Sequence, residues 1–303
     1  MKRLLRTCFA TVMTILLMRD VGVYADPEEL RMGFSDNVFQ DVIKSDAQAI
    51  TKICAEGMLG GMYEEEWQAK TMIFSQVTSI VEALRADEVD FLILLPVEHL
   101  EISRVVPLKA IWTVVVGGVV SYEYVLMVRR DSAIGDLAHL AGRKLVMDTG
   151  GKGRIPQMWL DTILWNSDLP GSEGFFGSIK EVAKPAQALL PVFFGEADAC
   201  LIPYQTFHTM VELNPQLAEQ VMILLRSPGF CRGVLCAPPA VYEEYEFRFE
   251  DTLTSLNTEP HGRQLLTIFR ADEIVPFEPA HLKEVQDLVR EYDRLKVQAG
   301  GGR

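Results

Sequence analysis

The sequence of 303 residues has few of the residue patterns by which proteins hold metals or catalyse reactions. It contains no CxxC pair and no HExxH helix, and its five histidines, at positions 99, 139, 208, 261 and 281, are scattered along the chain. It also lacks the GxSxG motif of serine hydrolases and the GxxxxGKS/T loop of nucleotide hydrolases. We therefore predict no metal, no organic cofactor and no nucleotide hydrolysis, although a Ser–His–Asp site assembled from distant residues stays open.

Basic residues are scarce as well, because 29 Lys and Arg stand against 42 Asp and Glu, a formal net charge of −13. Such a surface repels nucleic acid, which we exclude as a partner. The same charge predicts a soluble monomer. An anion-binding site in this chain has to be built locally, from backbone N–H groups and a few fixed cations.

The apolar run near the N-terminus, residues 8–18, is too short for a comfortable membrane span. Three basic residues precede this run, and the stretch VYA at 23–25 offers small residues suited to signal-peptidase cleavage. We predict a signal peptide over residues 1–25, cleaved after about Ala25, and a soluble periplasmic protein. An N-terminal membrane anchor is the alternative that the pattern leaves open.

The cysteines beyond the signal peptide are four. Cys54 lies in a helical pattern and Cys200 in an apolar strand, as buried thiols do. Cys231 and Cys236 could close a small disulfide loop, since export permits disulfides. Along one continuous strand, however, an odd separation points the two side chains to opposite faces, so the pairing is left open.

From residue 30 onward, short apolar runs alternate with segments of helical periodicity, the pattern of α/β proteins with largely parallel sheets. One β-α-β-α-β unit is predicted from strands at 30–34, 69–74 and 89–95, with a helix between each pair. A second is predicted in the same way from strands at 144–147, 178–182 and 197–202. We therefore predict two similar α/β lobes, each a mainly parallel sheet flanked by helices.

Two strand-like runs, 108–116 and 221–225, are expected to cross between the lobes. They divide the chain into a first lobe of residues 26–113 and 223–303 and a second lobe of residues 114–222. Rigid rotation of the lobes about these runs is the expected motion on ligand binding.

Other elements complete the prediction. A short helix is predicted at 132–142, a helix at 204–212, and helical structure from about 238 to 297. The last helix has apolar residues from 282 to 295 at three- and four-residue spacing, which predicts that it covers the first lobe.

A glycine-rich turn joins the strand at 144–147 to the following helix. It consists of Thr149, Gly150, Gly151, Lys152, Gly153 and Arg154. A dinucleotide fingerprint is rejected, because Pro156 stands where its third glycine belongs. Small residues at a helix N-terminus free backbone N–H groups for an anion, and the turn adds two cations. We predict an anion site here, with a solvent-exposed tight turn as the alternative.

Four segments together resemble the type II periplasmic substrate-binding proteins of ABC importers, in the branch that includes phosphate and phosphonate binders. They are LRMGFS (30–35), SIVEALRADEVDFL (79–92), YVLMVRRDSAIGDLAHLAGRKL (124–145) and ALLPVFFGEADACL (188–201). The third is the most specific, since a strand, Asp-Ser, a short Leu-x-x-Leu helix, Gly and a basic residue follow in order. The resemblance spans nearly all of residues 28–295.

The resemblance implies two α/β lobes with a small ligand in the cleft between them, beyond the carboxyl ends of the strands. The residues expected to bind the ligand there are Phe34, Ser35, Asn37, Glu98, His99, Tyr204 and the six residues of the glycine-rich turn. Four of these residues have a simpler structural alternative: Ser35 and Asn37 can cap a helix, His99 can be an ordinary surface histidine, and Tyr204 can have only a packing role.

The implied function is that of an exported solute-binding protein, which hands a small, anionic ligand to the membrane permease of an ABC importer. Phosphate-like, phosphonate-like and carboxylate ligands all fit. Phosphonate binders are expected to have a Ser/Thr-rich turn, whereas Thr149 is the only hydroxyl here. A sensor of the same fold without a transporter, or an enzyme on the same scaffold, is the alternative.

Overall fold

The structure, a computed structural model, describes residues 29–39, 44–62, 68–149 and 154–300. The predicted signal peptide and the residues Gly150, Gly151, Lys152 and Gly153 lie outside this description. Two large sheets and their flanking helices form the described chain, which confirms the predicted α/β class. None of the described helices has the length and apolar character that a membrane span requires.

The first sheet has six strands. They are β1 (Glu29–Ser35), β2 (Gln68–Phe74), β3 (Phe91–Leu94), β4 (Lys109–Val115), β12 (Val234–Ala237) and β13 (Glu273–Pro276). Their order across the sheet is β13-β4-β12-β3-β1-β2. The strands β1, β2 and β3 are parallel, whereas β12 runs antiparallel to β3 and β4, and β13 antiparallel to β4. The apolar strand β3 is almost wholly buried, as expected where helices cover both faces.

The second sheet has five strands. They are β6 (Tyr124–Arg129), β7 (Lys144–Asp148), β8 (Ser178–Val182), β9 (Ala199–Pro203) and β10 (Val221–Arg226), in the order β10-β6-β9-β7-β8. β7 is parallel to β8 and β9, and β6 runs antiparallel to both of its neighbours.

Helices connect and cover these strands. They are α1 (Lys44–Met62), α2 (Val77–Arg85), α3 (Pro96–Ser103), α4 (Ile155–Asn166), α5 (Ser172–Phe175), α6 (Pro185–Phe193), α7 (Tyr204–Leu213), α8 (Gln216–Gln220), α9 (Pro239–Tyr245), α10 (Phe249–Thr258), α11 (Pro260–Phe269) and α12 (Lys283–Gly300).

The chain crosses between the sheets at two short strands, β5 (Ser121–Tyr122) and β11 (Phe230–Cys231), which pair antiparallel with each other. The predicted crossing runs, 108–116 and 221–225, are therefore wrong: β4 stays in the first sheet and β10 pairs with β6 in the second. The predicted lobe limits move accordingly, since the limits at 113/114 and 222/223 cut through β4 and β10. An apolar run predicts a strand but does not say which sheet receives it.

The last helix was predicted to cover the first lobe, but its apolar stripe packs on both lobes. α12 contacts α3 behind the first sheet and α4 behind the second. Its Tyr292 ring lies 5.3 Å from the ring of Trp165 in α4. One continuous core joins its Val285 to Leu92 of β3 and Leu126 of β6.

The helix predicted at 132–142 is a single 3₁₀ turn, Ala138–Leu140. Side chains satisfy the local backbone instead. Asp136 Oδ1 accepts the N–H of His139 at 3.1 Å, and His139 Nδ1 accepts the N–H of Gly135 at 3.3 Å. Side-chain bonds of this kind compete with a helical ladder.

The sequence prediction missed several elements, and two of them have a signal that can be read in the sequence. The helix α3 begins at Pro96 directly after β3, with the proline in the first turn and Glu98 closing a hydrogen bond back to the Leu95 N–H. The strand β13 interrupts the predicted helical region at its Ile274-Val275 pair, after a left-handed Arg270. The signals in the sequence are Pro96 directly after an apolar strand and the β-branched pair Ile274-Val275.

The four described cysteines are free, buried thiols, so Cys231 and Cys236 are not bridged in this structure. Burial raises the pKa of each of them and raises that of Cys54 to about 12. These thiols pack as small apolar side chains.

Candidate functional site

The carboxyl ends of the parallel strands lie where the two sheets are joined. β1 ends at Ser35 and β3 at Leu94, while β7 ends at Asp148 and β9 at Pro203. The crossing chain enters the second sheet at Tyr124, which pairs with Pro203. Ligands of open α/β sheets bind outside such strand ends. The residues that follow these strands therefore form the candidate site.

On the first lobe, three candidate residues form one hydrogen-bonded cluster around the Glu98 carboxylate. Oε1 accepts from Ser35 Oγ at 2.8 Å and from Asn37 Nδ2 at 2.6 Å. Oε2 accepts the Leu95 N–H at 3.0 Å. Glu98 is only 5% exposed, so charge-assisted hydrogen bonds stabilise a carboxylate taken out of water.

Ser35 also has the capping role that the sequence left open. Its Oγ accepts the N–H of Asn37 at 3.2 Å at the start of the 3₁₀ turn Asp36–Val38. Ser35 is 1% exposed, and Asn37 is partly exposed. Both side chains therefore order the Glu98 carboxylate, and the partly exposed Asn37 is the one nearer to solvent.

His99 follows Glu98 in α3 and is not the ordinary surface histidine of the plainer alternative, because it is 5% exposed. Its Nδ1 has no hydrogen-bond partner among the described residues. Burial lowers the pKa of His99 from 6.5 to about 4, since the protonated ring would lose its hydration. The imidazole is therefore neutral at neutral pH and keeps an uncommitted polar atom.

Phe34 is placed in the core of the first lobe. Its side chain is fully buried with Leu30 and Met32 and lies 5.9 Å from the ring of Phe39. The structure gives this side chain a packing role, which differs from the ligand contact expected from the sequence.

On the second lobe, Thr149 and Arg154 flank the part of the turn outside the described residues. Thr149 is buried and its N–H donates to the Val182 carbonyl at 3.2 Å. Arg154 caps α4, and its guanidinium pairs with Glu101 of α3 at 2.7 Å. This ion pair joins the two lobes, so one predicted cation already has a carboxylate partner.

Tyr204 begins α7 at the end of β9, and its N–H donates to the Glu123 carbonyl at 2.8 Å. The Arg226 guanidinium lies 3.8 Å from the Tyr204 ring centroid and also pairs with the Glu123 carboxylate. Tyr204 is half-buried. One face of the Tyr204 ring therefore packs against Arg226, which is the packing role that the sequence left open.

The crossing segment brings together three residues that sequence reasoning missed. The rings of Tyr122 and Tyr124 meet edge to face at 5.2 Å, and the Arg232 guanidinium lies 5.1 Å from the Tyr122 centroid. Burial raises the pKa of both phenols and lowers that of Arg232. The available signal was Arg232 itself, the single charge in the apolar stretch FCRGVLCA.

Among the described residues, the arrangement most similar to a Ser–His–acid triad lies outside the candidate site. Ser255 Oγ is 3.3 Å from His261 Nε2, and His261 Nδ1 is 3.5 Å from Glu259. They sit at the junction of α10 and α11, beside Gly57 near the end of α1. Because α1 runs back from the carboxyl end of β1, this junction lies at the edge of the lobe opposite to the candidate site.

Comparisons with known proteins agree with this geometry. A family model described as ABC transporter, phosphonate, periplasmic substrate-binding protein matches residues 66–282. A Xanthomonas citri protein solved with a chloride ion is 16% identical over 89% of this chain and 99% of its own, with a TM-score of 0.63. The binding protein component of an ABC phosphonate transporter from Pseudomonas aeruginosa is 14% identical over 90% of this chain and 89% of its own, with a TM-score of 0.61.

A third structure, PhnD1 of Prochlorococcus marinus in complex with methylphosphonate, is 12% identical over 88% of this chain and 99% of its own, with a TM-score of 0.58. Among curated proteins, none matches the chain.

The two joined α/β lobes, with strand ends meeting at the crossing segments, have the type II periplasmic-binding-protein fold. The family match covers most of the sequence, and the chain belongs to the periplasmic substrate-binding proteins of phosphonate ABC transporters. Proteins of this family bind a small molecule in the periplasm and work with the permease of an ABC importer. The predicted role, solute capture for ABC-type uptake of an anionic ligand, is thereby confirmed.

Proposed function

We propose that this protein captures a compact phosphonate-like, phosphate-like or carboxylate anion between its lobes. Family membership carries this proposal. The solved relatives support it, because their bound partners include methylphosphonate, chloride and ATP, all of them anions.

The proposed contacts come from both lobes. Thr149 and the backbone of Gly150, Gly151 and Gly153 bind the anion at the N-terminus of α4, with Lys152 and Arg154 supplying positive charge. These roles follow from the sequence of the turn. His99 and Tyr204 contribute polar atoms from the facing strand ends, and Glu98 is held in place by Ser35 and Asn37.

A thermal-shift screen with methylphosphonate, inorganic phosphate, acetate and neutral or cationic solutes tests the ligand class. Calorimetry with the best anion then compares the parent protein with Thr149→Ala, Lys152→Ala and Arg154→Ala. Loss of a charged partner should weaken binding roughly ten- to a hundredfold. Arg294→Ala is the control, because Arg294 is exposed and paired with Glu291 on α12. A neutral or cationic best ligand, or unchanged binding in all three variants, would refute the proposal.

We further propose a monomer without catalytic activity that is cleaved after about Ala25. N-terminal sequencing of the exported protein and sedimentation at micromolar concentration test the cleavage site and the monomer. Turnover of any bound solute would contradict the absence of catalysis. Lobe closure about β5 and β11 is tested by small-angle scattering with and without saturating ligand, where identical curves would count against it.

A further inference from the structure

Arg232 lies at the point where the crossing chain returns to the first sheet. It follows β11 directly, and Gly233 separates it from β12. The amino end of β12 pairs with the carboxyl end of β3 at Val234 and Leu94. Arg232 therefore lies at the edge of the first sheet that faces the second lobe, at the crossing side of the cleft.

The guanidinium of Arg232 has no hydrogen bond and no ion pair with any residue that the structure describes. Its Nε is buried and without a partner. Asp272 is near enough for its charge to act on Arg232, but the Asp272 carboxylate accepts the Gly118 N–H at 3.1 Å instead. The guanidinium lies over the aromatic face of Tyr122, 5.1 Å from the ring centroid.

This state is unusual for an arginine in so acidic a chain. Arg31 bonds Asp90, Arg129 bonds Asp131 and Arg226 pairs with Glu123, so carboxylates are readily found. Arg232 is half-buried, and its buried Nε is a donor without an acceptor, which costs free energy in the absence of a ligand. The ring of Tyr122 holds the guanidinium by cation–π attraction without using its N–H donors.

The same residues connect Arg232 to the second lobe. The Tyr122 ring meets the Tyr124 ring edge to face at 5.2 Å, and the charges of both Arg232 and Asp148 act on Tyr124. Asp148 ends β7 and precedes Thr149. The tyrosine pair thus lies between Arg232 and the strand end from which the proposed anion turn begins.

We propose that Arg232 binds an oxyanion of the ligand from the crossing side of the cleft and so selects for its chemical class. This deepens the proposed function and rests on it. A guanidinium presents parallel N–H donors that match two oxygens on one phosphorus or carbon atom. The site therefore favours phosphonate, phosphate or carboxylate over a halide or a neutral solute.

The test uses the full mature protein with methylphosphonate, inorganic phosphate, acetate and chloride as probes, each titrated by calorimetry. Arg232→Gln should bind the best oxyanion roughly ten- to a hundredfold more weakly than the parent. Arg232→Lys keeps the charge but not the paired donors, and should bind roughly three- to tenfold more weakly. The control Arg294→Gln removes an exposed arginine from α12 and should leave affinity unchanged.

Melting temperature without ligand separates binding from a structural role. Removing a half-buried cation that has no hydrogen-bond acceptor should leave the melting temperature of Arg232→Gln equal to or above that of the parent. A lower melting temperature with unchanged affinity would assign Arg232 a structural role and overturn the proposal. Arg232→Lys carries the affinity test if Arg232→Gln fails to fold.

The outcomes also separate this proposal from the proposed function. If the parent binds an oxyanion and both Arg232 variants bind it equally well, the Arg232 assignment is wrong and the anion uptake role stands. If phosphate stabilises the parent but not Arg232→Gln, while a neutral solute binds far more tightly than any anion, the Arg232 site stands and the proposed ligand class is wrong. If no oxyanion stabilises the parent at all, both are overturned.

Discussion

Replacing Glu98 by glutamine should destabilise the protein, because no orientation of an amide satisfies all the donors around this buried carboxylate. Two donors, Ser35 Oγ and Asn37 Nδ2, face Oε1, and the Leu95 N–H faces Oε2. If the amide oxygen accepts from Ser35 and Asn37, its NH₂ group opposes the Leu95 N–H; if the amide turns round, it opposes Asn37.

The expected loss follows from these contacts. One charge-assisted hydrogen bond disappears and two weaken to ordinary strength, while one buried donor remains unpaired. The free energy of unfolding should therefore fall by about 2–4 kcal/mol. Urea unfolding, followed by the fluorescence of the buried Trp112 and Trp159, measures this as a shift in midpoint at constant slope.

A matched control lies one turn further along the same helix. Glu101→Gln breaks an exposed ion pair and should cost less than about 1 kcal/mol. If Glu98→Gln loses no more than this control, the carboxylate is not the organising group of the cluster, and the reasoning from its three donors is wrong.

Three further predictions each follow from one structural feature: the burial of His99, the ion pair of Glu101 with Arg154, and the close backbone approach at Gly177. The pKa of His99 is about 4 in the folded protein and 6.5 in the unfolded chain, so the free energy of unfolding is highest above pH 6.5 and falls by about 3 kcal/mol as the pH drops to 4. His99→Gln should remove this dependence of the unfolding free energy on pH, and an unchanged pH dependence would contradict the prediction. Glu101→Gln should free Arg154 and raise affinity for the best anion roughly 1.5- to 5-fold by calorimetry, whereas weaker binding would show that the pair supports the site. Gly177→Ala would place a Cβ 2.3 Å from a backbone carbonyl oxygen and should cost about 1–3 kcal/mol in thermal unfolding, while Gly174→Ala, whose Cβ meets only a proline side chain at 3.5 Å, should be nearly neutral.

Most strands were predictable because each combines a short apolar run with a clear boundary. The strand predicted at 178–182 has the bounds of β8, and that at 144–147 differs from β7 by one residue. Sheet membership was less predictable, since it depends on pairing between distant segments. β10 was expected to cross between the lobes, but its pairing with β6 makes it an edge strand of the second sheet.

The position of the candidate site could be predicted from the ends of the strands, but the contacts within it could not. Ser35, Glu98 and His99 were expected near a ligand because Ser35 ends β1 and the other two follow β3. That Ser35 bonds Glu98, 63 residues later, depends on the parallel pairing of those two strands and cannot be read from spacing. Arg232 was missed because a single charge in an apolar run carries no periodic signal.

Arg154 and Arg232 differ in what they can contribute to the recognition of an anion. Arg154 is half exposed and already paired with Glu101, so an arriving anion has to compete with a carboxylate, and salt screens the attraction. Arg232 is less hydrated and has no competing acceptor within bonding distance among the described residues. Its desolvation is a cost of folding, so an oxyanion that reaches it gains a charge-assisted hydrogen bond without first displacing a partner. In a chain with net charge −13, this makes the crossing side of the cleft the stronger short-range attraction for an anion, and Arg154 the weaker, salt-dependent one.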